Sequence, residues 1–170
     1  MVTHRFLAAT AVLLAAAAPI AAPAQTAEKK FDARDPASLI DFLAATDAKA
    51  EVVRKSEDEV HLSVSTSGLA FGAQFAGCEA NGKACKALAF TAASEKRSAT
   101  LAQVNGFNQT SMLCRAYQDK AGKMNVVYAT LVGASDTRED MRMHIGAWQT
   151  CLGAFGQFLQ DPTGYLAAAP

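Results

Sequence analysis

The residues of this chain best equipped for chemistry are its cysteines, Cys78, Cys85, Cys114 and Cys151, together with His61 and His144. Cys78 and Cys85 have six residues between them, which is not the C-x-x-C spacing of thioredoxin-like redox couples, and no nearby His or Cys pair completes a zinc set. They flank Asn81-Gly82, a dipeptide that favours a two-residue hairpin turn. A turn centred there sets Phe75 opposite Leu88 and Ala73 opposite Phe90 on an apolar face, with Cys78 opposite Cys85 on the other face. Opposed Cα atoms of a hairpin lie about 4.5–5.5 Å apart, within the span of a disulfide. In an oxidising compartment this pair is expected to close as a structural bridge worth at most about 2–3 kcal/mol.

Cys114 and Cys151 leave two outcomes open. They bridge if the last helix lies on the sheet face bearing Met112, Cys114 and Ala116, or they remain two buried thiols. A Cys-His nucleophile is not expected, because His144 stands seven residues before Cys151, two helical turns away and out of hydrogen-bond reach. His61 falls on the wet face of a strand with neither Cys nor carboxylate adjacent in sequence, and reads as a solvated side chain. Paired carboxylates in a motif, a glycine-rich phosphate loop and a serine elbow are missing from the sequence. The expectation is therefore a non-enzymatic protein with no catalytic residues, no metal and no cofactor.

The polar residues that could instead bind something are Asn105, Asn108, Arg115 and Tyr117. The two asparagines, three apart, could turn one polar edge toward a ligand or simply end their helix. Arg115 and Tyr117 share the strand face opposite Cys114, and the small face around Gln74 and Ala76 is a further place for a partner to touch.

Positioning these residues requires a series of elements. Asp35-Pro36 opens a first helix that carries Leu39, Ile40, Phe42 and Leu43 inward and ends near Thr46 or Asp47. Strands are expected at 50–55 and 59–65, the second alternating Val60, Leu62 and Val64 with His61, Ser63 and Ser65. The Asn81-Gly82 hairpin supplies two more. Thr100 and Gln103 form a capping box for a helix with Leu101, Val104 and Phe107 at helical spacing, ending near Asn108 or Thr110. Strands at 112–118 and 124–131 follow, joined by a loop in which Gly122 takes the left-handed position. The last helix opens on Asp136 and Glu139 as an acidic capping box and runs to about Gln160. Its stripe is Met141, Ile145, Trp148, Leu152, Phe155 and Leu159, with His144, Cys151 and Phe158 on one flank and Gly146, Gly153 and Gly156 leaving room for a neighbouring backbone. The order α-β-β-β(-β)-α-β-β-α describes an α+β domain with an antiparallel sheet of five to six strands covered by helices.

The pieces VNGFN at 104–108, CRAYQDKAG at 114–122 and the helix around Trp148 resemble the YbjN family, described as bacterial sensory transduction regulators, over roughly 35–159. The resemblance implies a fold similar to type III secretion chaperones, with one strand fewer in its first group. It also implies a regulatory or chaperone-like module binding a protein or peptide, in which two copies could pair. A contrasting possibility is a small-molecule sensor or enzyme with a cleft near Asn105, Asn108, Arg115 and Tyr117.

Residues 1–24 carry Arg5, an apolar run over 6–20 and the small-residue ending Ala22, Pro23, Ala24, the pattern of a secretory signal peptide cleaved after Ala24. Pro19 and Pro23 interrupt the run, so a stable membrane anchor is not expected after cleavage. The address is periplasmic or secreted. Residues 25–34 read as a flexible start, 35–160 as the domain and 161–170 as a tail. Removing Arg5 leaves 15 basic and 16 acidic side chains, a net charge of −1 that offers no electrostatic pull on nucleic acid.

Overall fold

A computed structural model describes residues 30–94 and 99–169, so the leader expected at 1–24 lies outside the described residues. Helix α1, Pro36–Ala44, starts as its sequence dictates: the Asp35 carboxylate accepts the Ala37 N–H at 3.0 Å and Pro36 occupies the first turn, where no N–H is needed. Its apolar face buries Leu39, Phe42 and Leu43. Four strands follow: β1 Lys49–Lys55, β2 Glu59–Ser65, β3 Ala70–Ala76 and β4 Ala87–Ser94. Then come α2 Leu101–Thr110, β5 Arg115–Gln118, β6 Met124–Leu131, α3 Arg138–Gln160 and a short α4, Pro162–Ala168. The last of these falls in the stretch that reads from sequence as a tail; it forms because Asp161 caps it at the Gly164 N–H and Pro162 opens it.

The six strands form one antiparallel sheet in the order β1-β2-β3-β4-β6-β5. Period-2 alternation selects one face: Val60, Leu62, Val64, Ala73, Phe75, Leu88, Phe90, Ala116, Val126 and Tyr128 join a buried cluster with residues of α1, α2 and α3. The register of the β3–β4 hairpin is the expected one, Phe75 opposite Leu88 and Ala73 opposite Phe90. Helix α4 adds Tyr165, which packs edge-on against Phe158 and lies 5.8 Å from Phe107, ring centre to ring centre.

Several expectations are corrected. The Asn81-Gly82 corner is a three-residue loop rather than a two-residue turn: the Glu79 N–H donates to Lys83 and the Gly82 N–H to Glu79, with only Gly82 left-handed at φ 76°. Asn81 keeps a negative φ, and its side chain accepts the Lys83 N–H at 2.8 Å. The β5–β6 hairpin repeats this turn, with the Asp119 N–H on Lys123, the Gly122 N–H on Asp119 and Gly122 again at φ 76°. Beyond the first turn, Gly77 and Ala84 take positive φ and rotate the strand ends, so Cys85 is fully buried in the core rather than on the outer face. Strand β5 is shorter than expected, since the chain at Met112 is 93% exposed and outside the ladder.

Helix α3 is capped one residue later than its acidic pattern suggests. Thr137 Oγ1 accepts the Asp140 N–H and Asp140 returns to the Thr137 N–H, whereas Asp136 is occupied by the Gly133 N–H. Its buried stripe is also turned toward the flank, through Met141, Trp148, Cys151, Phe155, Phe158 and Leu159, while Ile145 and Leu152 are half-buried. Gly146, Gly153 and Gly156 face open space, not a neighbouring backbone.

Candidate functional site

The expected binding residues gather at the corner where α2 meets β5. Asn108, in the last turn of α2, has its carboxamide turned onto the next strand: Nδ2 donates to the Ala116 carbonyl at 2.9 Å and Oδ1 accepts the Ala116 N–H at 2.7 Å. A side chain thus stands in for a neighbouring strand on the outer edge of β5, satisfying a backbone donor and acceptor at once. Asn105, one turn earlier, is exposed. Arg115 Nη1 donates to the carbonyls of Ser111 at 2.8 Å and Cys114 at 2.7 Å, fastening the loop before β5.

Both cysteine pairs are bonded, and Cys114–Cys151 ties this corner to α3 with Cα atoms 5.7 Å apart. The Cys78–Cys85 bridge closes the hairpin loop, which is itself docked on the chain before α1: the Cys85 N–H donates to Arg34 and Lys83 Nζ lies 3.2 Å from Asp35 Oδ2. Ordered packing begins upstream of the helix. Asp32 grips Arg34, whose guanidinium hydrogen bond holds the Asp32 carboxyl below the usual carboxylate range. His144 has a partner of its own, its Nδ1 standing 2.7 Å from the Tyr128 hydroxyl.

The helices all pack on the cluster-bearing face, and among the described residues the opposite face is left uncovered. Tyr117 and Asn125 border a hollow of about 470 Å³ there, floored by Gly72 and Thr91, with His61 and Gln74 on the far side. Asn105, Asn108 and Arg115 do not border it. Gly72 keeps the floor low: a Cβ at that position would stand 3.0 Å from Thr91 Oγ1.

His61 is not the isolated side chain its sequence neighbours suggest. Glu59, two residues earlier and therefore on the same face, meets His61 Nε2 at 3.0 Å, receives the Gln74 amide at 3.0 Å and lies 3.4 Å from Arg54 Nη2. The hydrogen bond from His61 is the main reason the Glu59 carboxyl sits below its ordinary range, with Arg54 and Gln74 adding to it. Alternation with a period of two was the signal for this cluster, since it places residues i and i+2 side by side. Arg54 Nη2 also approaches His61 Nε2 at 2.6 Å, so one ring nitrogen serves both an anion and a cation, accepting from Arg54 in one tautomer and donating to Glu59 in the other. The arrangement makes a polar rim of mixed charge beside a low floor. Among the described residues no group of three metal-ligating side chains converges, and no helix is long and apolar enough to cross a membrane.

Residues 35–161 match the family model YbjN, whose description reads "Putative bacterial sensory transduction regulator". No curated protein matches the chain, and no solved structure matches it, so the likeness to type III secretion chaperones carries nothing further.

Proposed function

The chain belongs to the YbjN family, and on that footing we propose that it is an exported, non-enzymatic regulatory module that binds a protein or peptide partner on the open face of its sheet. The observation that carries this reading is the one-sided cover: the helices leave β3, β4 and β6 with a half-exposed outer face of small residues between the His61–Glu59–Gln74 cluster and Tyr117. A low floor flanked by an aromatic ring and fixed polar groups suits contact with another polypeptide better than enclosure of a small substrate. Export is supported by two disulfides, which persist in oxidising compartments, and by the leader pattern of residues 1–24.

The test is capture from periplasmic extract with the protein as bait, alongside sizing. Wild-type chain should retain a defined partner or elute as a complex, and Thr91→Arg, which raises a long cation from the floor, should lose it while keeping its fold. A strict monomer that retains nothing would overturn the reading.

A further inference from the structure

Strand β5 covers only half of the edge beside it. Its residues pair with Met124 to Val127, so Tyr128, Ala129, Thr130 and Leu131 of β6 have a strand neighbour on the β4 side alone. Residues of an antiparallel strand send their N–H and C=O alternately to one side and the other. The Val132 N–H donates to the Lys86 carbonyl at the entry to β4, and the Asp119 N–H donates to Lys123 across the β5–β6 turn. Counted in steps of two from these bonds, Tyr128 and Thr130 direct their backbone groups to β4, whereas Ala129 and Leu131 turn theirs toward the line in which β5 would continue.

The chain does not continue there. It leaves the ladder at Cys114, whose N–H donates to Ser111 Oγ at 3.1 Å and whose sulfur is bonded to Cys151 of α3. Ala129 and Leu131 are both exposed, and the Leu131 carbonyl receives the hydroxyl of its neighbour Thr130 at 3.2 Å. The other edges of the sheet are guarded, as natural edges usually are. Asn108 covers the outer side of β5, and β1 carries Lys49, Glu51, Arg54 and Lys55 with a bulge between Val52 and Arg54. The end of β6 carries no charge of its own: Leu131 is 80% exposed, and Met112 and Leu113, 93% and 50% exposed, project from the chain that breaks away just before β5.

We propose that this half-empty edge takes in an extended segment of another polypeptide, with large apolar side chains at alternate positions and about as long as the four residues of β6 left without β5. An extended backbone offers a carbonyl and an N–H at the two-residue repeat that Ala129 and Leu131 present. Side chains of directly paired residues share a face, so the guest's apolar residues stand beside Ala129, whose small side chain leaves room, and Leu131, which supplies contact. A single strand fits this gap better than a second copy of the chain, because a twofold axis would bring both loops bearing Met112 and Leu113 to the same corner. The site goes beyond the open-face reading and does not rest on it, since neither Ala129 nor Leu131 borders the hollow beside Tyr117.

The probe is the peptide Ser-Leu-Thr-Leu-Ser, acetylated and amidated, titrated into the purified oxidised chain while backbone amides are followed in proton–nitrogen correlation spectra. In the free protein the Ala129 and Leu131 amides should exchange with solvent at least about tenfold faster than those of Tyr128 and Thr130. The peptide should shift the first pair saturably and slow their exchange. N-methylation of both leucines, which removes the donors facing β6, should weaken binding at least about tenfold, whereas N-methylation of the central threonine, on the far edge, should leave it within about twofold. Leu131→Lys, at an exposed position, should weaken binding about fivefold or more. Amides that do not respond, or methylated peptides that bind alike, would overturn the proposal. So would Ala129 and Leu131 amides already protected in the free chain, with protection that grows with protein concentration assigning the edge to a second copy instead. Because probe and protein are both defined, failure to capture a partner from extract leaves this result standing, and the reverse holds.

Discussion

The carboxamide of Asn108 pairs with both backbone groups of Ala116, accepting its N–H at 2.7 Å and donating to its carbonyl at 2.9 Å. From the last turn of α2 this one side chain covers the outer edge of β5 and ties the helix to the sheet. Asn108→Ala should therefore cost about 2–3 kcal/mol, the loss of two hydrogen bonds plus the desolvation of a strand edge left half-satisfied. Asn105→Ala, on the exposed side of the same helix, should stay within about 0.5 kcal/mol. Urea midpoints of the two variants check the contrast, and equal effects would refute the edge-covering role.

The two bridges should contribute unequally. Cys114–Cys151 closes a separation of 37 residues and Cys78–Cys85 one of 7. The loop-entropy relation gives ~4 kcal/mol for the longer loop and ~2.5 kcal/mol for the shorter. Replacing Cys114 and Cys151 together by Ala should lower the denaturation midpoint more than replacing Cys78 and Cys85. Intact mass before and after reduction should show the hydrogens gained by two bridges.

Gly82 and Gly122 hold the same left-handed position in matched turns. An alanine at 122 should cost about 1–2 kcal/mol for that conformation alone, and Gly122→Asn less, since asparagine tolerates it. Gly82→Ala should cost more than Gly122→Ala. Its Cβ would stand 2.7 Å from Lys55 Cε and 3.2 Å from Val60 Cγ2, displacing the ammonium that donates to the Asn81 carbonyl at 2.7 Å. Thermal melts of the three variants order these costs.

Stability should fall in acid. The carboxyls of Asp32, Glu59, Asp119 and Asp140 are held below their ordinary range, mainly by the Arg34 guanidinium, the His61 ring, the Lys123 N–H and the Thr137 N–H respectively. A carboxyl whose folded pKa is depressed takes up its proton first in the unfolded chain. Its contribution is present above the ordinary carboxylate pKa of about 4 and is lost as pH falls through that value toward the lower folded one. The urea midpoint should be flat from about pH 7 to 5 and drop below about pH 4.5. Asp119→Asn and Asp140→Asn should each make that drop shallower, and an unchanged slope would exclude these groups as its source.

Much of this molecule is readable without coordinates because its determinants are local. Thr100 and Gln103 are three residues apart and make the capping box their spacing implies, and Asp35-Pro36 begins α1 for the same reason. Glycine at 122 announces its turn because no other residue enters the left-handed region so readily. Cap identity in α3 was less legible, since Asp136, Thr137, Glu139 and Asp140 offer overlapping pairs and only the incoming chain decides between them.

The sequence by itself determined the order of elements, the face of each central strand that turns inward, the Cys78–Cys85 pairing and the family, because periodicity, capping and turn chemistry act over a few residues. Only the tertiary structure decided that Cys114 reaches Cys151, that Asn108 is committed to Ala116, that Glu59 and Gln74 join His61, and that the Trp148 N–H is buried without a partner among the described residues. Those relations depend on how α2 and α3 lie across the sheet and how neighbouring strands align. They are fixed by the packing of the whole buried cluster and leave no short-range trace in the order of residues.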